Sequence, residues 1–430
     1  MSTFDDPRIQ KQFEEYKESY VEPETVSKEE LVEMITKDLT FASSKPVEEY
    51  TLYLKWQECQ RRFPVQEVAT LFGEEKQMVD QEKQKLLDEC KNNIWFPEDP
   101  MDFEKLEPEM IYTSKTDMTD HSAGTWQNIW NVFATMLSSM RNSSNIGRNL
   151  HYVIRDRVTK KYLGITCLTG DFIDLTPRDD YIGWEREYKT NSGKLNNSCI
   201  GSTIVPTQPL GFNYTGGKLI SLLCLSDQVQ NDWENNYGDK LVSVTTTSLY
   251  GKSKEHGISQ YDNLKYWKKM GYSSGSLTFE LTKATEKELL KYGEKHFNEK
   301  FFSLYVATRE NGQPWKRDHR NRFRSFIFSK LGIPKDIQKT DHGRGIYYSI
   351  LYDNTREFLR GEIEESQLIK RFDSSVDALS ELWRERYARK RINSLLNNNR
   401  TNLEETLFYG DVCFMTWDET KEKYLGDVGR

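Results

Sequence analysis

Residues 198–251 read SCIGSTIVPTQPLGFNYTGGKLISLLCLSDQVQNDWENNYGDKLVSVTTTSLYG, and the fold turns on this stretch. The β-branched run that opens it is ended by Pro206, Pro209 and Gly211, residues that interrupt a strand. Two further glycines, Gly216 and Gly217, open a helical pattern over 216–229. Residues 241–248 are nearly continuous β-branched sequence, the kind buried on both faces of a sheet. Strand, glycine turn, helix and strand in this order predict a mixed sheet covered by helices, an α+β protein.

Working outward, TWQNIWNVFATMLSSMR (125–141) carries Trp126, Ile129, Trp130, Phe133 and Leu137 along one stripe and predicts an amphipathic helix. HYVIRDRVTKKYLGITCLTGDF (151–172) predicts two strands around a charged turn, Asp156 to Lys161. QYDNLKYWKKMGY (260–272) reads as a helix closed by Gly271, and GSLTFELT (275–282) as a final strand. Residues 1–110 read as helices divided at Pro46, Pro64 and the Pro97–Pro108 cluster. Within them, SKEELVEMITKDL (27–39) begins on a serine cap. The expected zones are a helical arm (1–110), an α/β core (111–282) and a basic, mostly helical C-terminal region (283–430).

The chain has 430 residues, long enough for two or three domains. Its 23 Tyr, 21 Phe and 10 Trp exclude global disorder. No apolar run reaches the length of a membrane span, and the charged start lacks the apolar core of a secretory signal. A cytoplasmic protein with reduced thiols is therefore expected. Six cysteines and six histidines are scattered without metal-ligand spacing, so no metal is expected.

Charge is uneven. Residues 1–110 carry 27 acidic and 14 basic side chains, a net of −13, within a chain whose net charge is −7. The remainder is mildly basic, densest over 314–344 and again in LWRERYARKRI (382–392). Solvated helical faces would account for both stretches. The alternative is contact with DNA phosphates through Arg317, Arg320, Arg322, Arg386, Lys390 and Arg391. The glycine turn suggests a second anion site, because helix N-termini present unpaired N–H groups and glycines admit an anion closely. Asn213, Thr215, Gly216, Gly217 and Lys218 would form it. Its spacing matches neither GxxxxGK[ST] nor GxGxxG, and glycines used only for tight strand–helix packing would look the same.

Several segments resemble the DruA-type family, named for a component of Druantia anti-phage defence and present also in phages and mobile elements. They are IGRNLHYVIRD (146–156), YLGI (162–165), RDDYIGW (178–184), VPTQPLGFNYTGGKLISLL (205–223), DWENNYGDKLVSVTTTSLYG (232–251) and YWKKMGYSSGS (266–276). GRGIYYSILYDNTREFL (343–359) and LWRERYARKRI extend the likeness, which leaves residues 1–110 outside it. More distantly, the order of elements is similar to GNAT-like acyltransferases of the Mom-like branch, which modify adenine in phage DNA. NYTGGK offers the glycines of their cofactor loop without its leading residue.

The second resemblance implies a GNAT-like core that binds acetyl-CoA or another acyl-thioester at residues 213–218. It also implies a transferase acting on nucleic acid or a nucleotide. Asp180 and Ser248 would then serve proton removal from the acceptor, and Tyr250 or Tyr261 would protonate the leaving thiolate. The alternative is a non-catalytic, DNA-binding component of a phage or defence system on a degenerate GNAT-like scaffold. Either implies a bacterial or phage-infected cell.

Overall fold

The computed structural model describes residues 6–46, 49–50, 52–53, 56, 81–113, 119, 124–137, 147–248, 259–273, 275–276, 281–309, 319–340, 343–401 and 416–425. Contacts divide the chain into two units, one of residues 1–53 and 274–343, the other of residues 54–273 and 344–430. These boundaries cut the sequence at different places from the compositional zones 1–110, 111–282 and 283–430. The second unit carries the sheet.

In the first unit, helix Pro7–Ser19 starts at Asp6, whose side chain accepts from the Arg8 amide. Helix Lys28–Ser43 starts on Ser27, as its sequence predicts, with the hydroxyl accepting from the Glu30 amide. Phe13 packs on Phe302, ring centroids 5.0 Å apart, beside the buried Ile9 and Ala307. Buried Arg324 on helix His319–Leu331 pairs with Glu286 on helix Lys283–His296. The expected strand at 275–282 appears as Gly275–Ser276, paired with Lys339–Thr340. Residues 277–280 of that expectation lie outside the described residues.

The second unit is α+β. Its seven strands are β1 (Pro108–Tyr112), β2 (Asn149–Asp156), β3 (Tyr162–Gly170), β4 (Ser198–Pro206), β5 (Ser243–Ser248), β6 (Lys268–Tyr272) and β7 (Gly345–Ile350). Their spatial order is β1-β2-β3-β4-β5-β7-β6. Every neighbouring pair is antiparallel except β4 and β5, which run parallel. Strand alternation sorts the core into two layers. Leu150, Tyr152 and Ile154 of β2 face the larger cluster, with helices Gly216–Leu223, Asp227–Tyr237 and Val376–Trp383. Val153 faces the other, where helix Trp126–Leu137 buries Ile129, Trp130 and Phe133. The Trp130 indole N–H donates to the Thr166 carbonyl at 3.0 Å.

Two expectations are corrected. Residues 260–272 do not form a helix: Asn263 and Tyr266 take positive φ of 56° and 76°, and Lys268–Tyr272 pairs with β7 as the edge strand. Exposed Lys268 and Lys269 suit an edge, where charge opposes pairing with another chain. The helix expected over 216–229 is two helices, because the Ser226 hydroxyl caps a new start by accepting from the Val229 amide at 3.3 Å. A further departure is β7, which places residues 345–350 inside the sheet rather than in a helical tail.

Gly164 on β3 lets β4 approach, since a Cβ there would stand 2.5 Å from the Val205 carbonyl and 2.9 Å from Pro206 Cα. Gly164→Val should therefore lower stability by about 1–3 kcal/mol, the usual cost of overpacking, read as a lower urea midpoint. An unchanged midpoint would contradict this close approach.

Candidate functional site

The parallel pair β4–β5 has a closed end and an open end. At the closed end, Asp171 follows β3, and one of its carboxylate oxygens accepts from Ser198 on β4 at 2.6 Å and from Thr245 on β5 at 2.8 Å. Its other oxygen lies 2.8 Å from the Arg178 guanidinium, and both side chains are fully buried. Arg178 also donates to Asp179 from Nε at 2.9 Å and from Nη2 at 2.7 Å. Lys189 pairs with Asp179 from the far side. Burial alone would disfavour the Arg178 charge, but Asp171 and Asp179 outweigh it and hold its pKa above the ordinary value. One carboxylate thus ties three strands to a buried cation.

The open end has a local cause. Ser202 is an extra residue in β4, where the register with β3 shifts between Cys167 and Leu168, and such bulges bend a strand. Pairing with β5 stops beside it, at Gly201–Thr246. Into this gap comes Gln260, whose side-chain amide donates to the Ile204 carbonyl at 3.2 Å. Thr246 donates to the Gly201 carbonyl at 2.8 Å and lies 3.4 Å from the Tyr261 hydroxyl.

The glycine turn lies against the same plug. A Cβ on Gly217 would stand 2.1 Å from Gln260 Oε1, and one on Gly216 would stand 2.8 Å from the Leu210 side chain. Both glycines are buried, and so is Asn213. Thr215 is left-handed at φ 53° and joins two short helices. The Lys218 ammonium donates to the carbonyls of Gln260 at 2.9 Å and Asp262 at 2.6 Å. Burial draws its pKa down to about 8, partly opposed by Asp262.

The expected catalytic residues are dispersed. Asp180 is exposed on helix Thr176–Ile182, while its neighbour Asp179 belongs to the buried network. Ser248 ends β5, buried opposite Gly345. Tyr261 is buried against Trp267 and Tyr347, and burial pushes its hydroxyl up to about 12. Tyr250 lies outside the described residues. Of the expected phosphate contacts, Arg317 and the side chain of Arg320 lie outside the described residues, and Arg322 is exposed on its helix.

The basic helical segment 382–392 divides by use. Arg389 forks onto Glu104, with both bonds at 2.8 Å, and Arg391 donates to the Phe212 carbonyl at 3.1 Å and packs on that ring. Arg384 donates to the Leu106 carbonyl at 2.8 Å. Arg386 and Lys390 are exposed. Two residues of this site, Asp171 and Gln260, carry no functional signal in the sequence. Asp171 sits in a Gly-Asp dipeptide that reads as a turn, and nothing around Gln260 distinguishes it from a surface glutamine.

Among the described residues, no His/Cys/Asp/Glu cluster is arranged to hold a metal, and no helix is long and apolar enough to cross a membrane. The architecture defines an α+β protein with a clamped parallel pair that opens at a bulge. Residues 118–361 match the family described as Druantia protein DruA, and the chain belongs to that family. It is 27% identical over 262 residues to Druantia protein DruA of Escherichia coli (strain UMEA 4076-1). That match covers 57% of this chain and 62% of the relative, so it spans less than two thirds of the relative's length. No solved structure matches.

Removing one member of a buried ion pair leaves the other uncompensated. Asp171→Ala should therefore cost about 3–5 kcal/mol, and Thr245→Val, which deletes one hydrogen bond, about 1 kcal/mol. Chemical denaturation of the two variants checks the order; equal small losses would contradict the clamp.

Proposed function

We propose that this chain is a nucleic-acid-binding component of a phage-defence system, built on a GNAT-like scaffold whose cofactor gap is filled by its own side chains. The family assignment supplies the defence context. Support for the scaffold comes from the strand order, the parallel β4–β5 pair and the bulge where the pair opens.

The observation that carries the choice against a transferase is Gln260. In a GNAT-like protein an acyl-thioester would lie in the gap between β4 and β5, with its diphosphate on the turn at 215–218. Here the Gln260 amide holds the Ile204 carbonyl and lies against Gly217, and the Lys218 ammonium is engaged by two carbonyls. These residues stand where the cofactor would, so the turn in this arrangement does not fit a diphosphate. Nucleic-acid binding is favoured by Arg386 and Lys390, one helical turn apart and exposed on a segment whose other arginines are anchored inward.

Calorimetry with acetyl-CoA should give no saturable heat for the wild type. Gel-shift assays should show DNA retention that weakens with salt. Arg386→Gln with Lys390→Gln should lower the slope of log K against log salt by about 2, close to one for each phosphate no longer neutralised. DNA from expressing cells should carry no new base mass. Saturable acetyl-CoA binding abolished by Gly217→Glu, together with a base mass shift, would replace this reading with the transferase acting on nucleic acid or a nucleotide. Failure to retain DNA would contradict it outright.

A further inference from the structure

We propose that the hollow at the β6 edge of the sheet is a base-stacking site for single-stranded nucleic acid. The inference rests on the nucleic-acid-binding reading and gives that activity a place apart from the basic helical segment. The hollow, a small cavity of about 120 Å³ that opens to solvent, lies among Tyr181, Tyr266, Trp267, Lys268, Tyr348, Ile350 and Arg371. Tyr181, on helix Thr176–Ile182, meets Tyr348 of β7 edge to face, with centroids 5.9 Å apart. Tyr266 lies flat on Phe372, 3.8 Å apart at 14°. Its φ of 76° is costly for a residue with a side chain. Such strain gathers at binding sites and persists only where surrounding packing holds it.

Cations stand over these rings. Lys268 Nζ is 4.3 Å from the Tyr181 centroid and the Arg356 guanidinium 4.8 Å from it, while Lys265 Nζ is 5.0 Å from that of Tyr266. Among the described residues, none of these three cations has a carboxylate within 4 Å, although Arg356 is near enough to Glu362 to favour its charged form, whereas Arg371 has Asp353 at 3.9 Å. Edge lysines alone would be accounted for by the need to block strand pairing. That need does not call for tyrosines beneath them, nor for Arg356 and Arg371, which lie off β6. The two partly exposed rings, Tyr181 and Tyr266, set beside Lys265, Lys268 and Arg356, suit a ligand with a flat ring and a neighbouring negative charge, as each nucleotide of an unpaired strand provides. Duplex bases are stacked inside the helix and do not reach such a wall.

The test is fluorescence anisotropy of the full chain with a labelled oligothymidylate, alongside the matched duplex and thymidine monophosphate. The wild type should bind the single strand. Tyr266→Leu and Arg371→Gln, the second a surface change that leaves the core intact, should each weaken binding by roughly 5- to 100-fold, the range of stacking losses per base. Photocross-linking with bromodeoxyuridine in the strand should map to Tyr181, Tyr266 or Trp267. Binding that both variants leave unchanged, with cross-links on residues 384–397, overturns this site and leaves the nucleic-acid reading standing. No binding of either strand or duplex overturns both. Monophosphate binding as tight as the oligonucleotide's would make the occupant a free nucleotide and overturn the strand assignment.

Discussion

One carboxylate organises the sheet. Asp171 takes a hydroxyl from β4 and another from β5 while facing the buried guanidinium of Arg178. Parallel strands cannot be joined by a tight hairpin, so β4 and β5 come together only after an intervening helical crossover. A fully buried charge pair at their start fixes which residues face each other. It is costly to form and more costly to break, which makes the register at Ser198–Ser243 hard to slip.

With one end clamped, the bulge at Ser202 determines what happens at the other. β4 stays paired with β3 along its length, but its pairing with β5 ends at Gly201. An opening of this kind leaves β4 carbonyls without strand partners, and buried carbonyls need donors. Gln260 supplies one at Ile204, and the Thr246 hydroxyl supplies another at Gly201. The segment that brings in Gln260 also receives the Lys218 ammonium, so the glycine turn and the gap are closed by one set of interactions. The opening between β4 and β5 is thus filled by the protein's own side chains.

Elements made by local pattern were legible in the sequence. The β2–β3 hairpin around Asp156–Lys161 and the Trp126–Leu137 stripe need only neighbouring residues, and both stand as read, with residues 138–141 of the expected helix outside the described residues. Residues 266–272 were not legible, because Tyr266, Trp267 and Met270 fall at helical spacing while their strand partner, β7, lies beyond residues 274–343. The same separation hid Gly345–Ile350, although GIYYSI carries strand-forming residues. The glycine turn reads as a strand-to-helix turn, but a short helix, Leu210–Tyr214, stands between β4 and Thr215, and the turn's occupant was not legible either. Nothing near Gly217 in sequence announces Gln260, and only the fold brings the two together.

Gln260 and its neighbours close the space between β4 and β5. Amide hydrogen exchange over residues 201–206 and 215–218 tests this closure most directly. Exchange should be slow in the free protein, unchanged by acetyl-CoA at saturating concentration and faster in Gln260→Gly. Rapid exchange in the free protein that acetyl-CoA suppresses would mean the gap is open and built for a cofactor, and would contradict it.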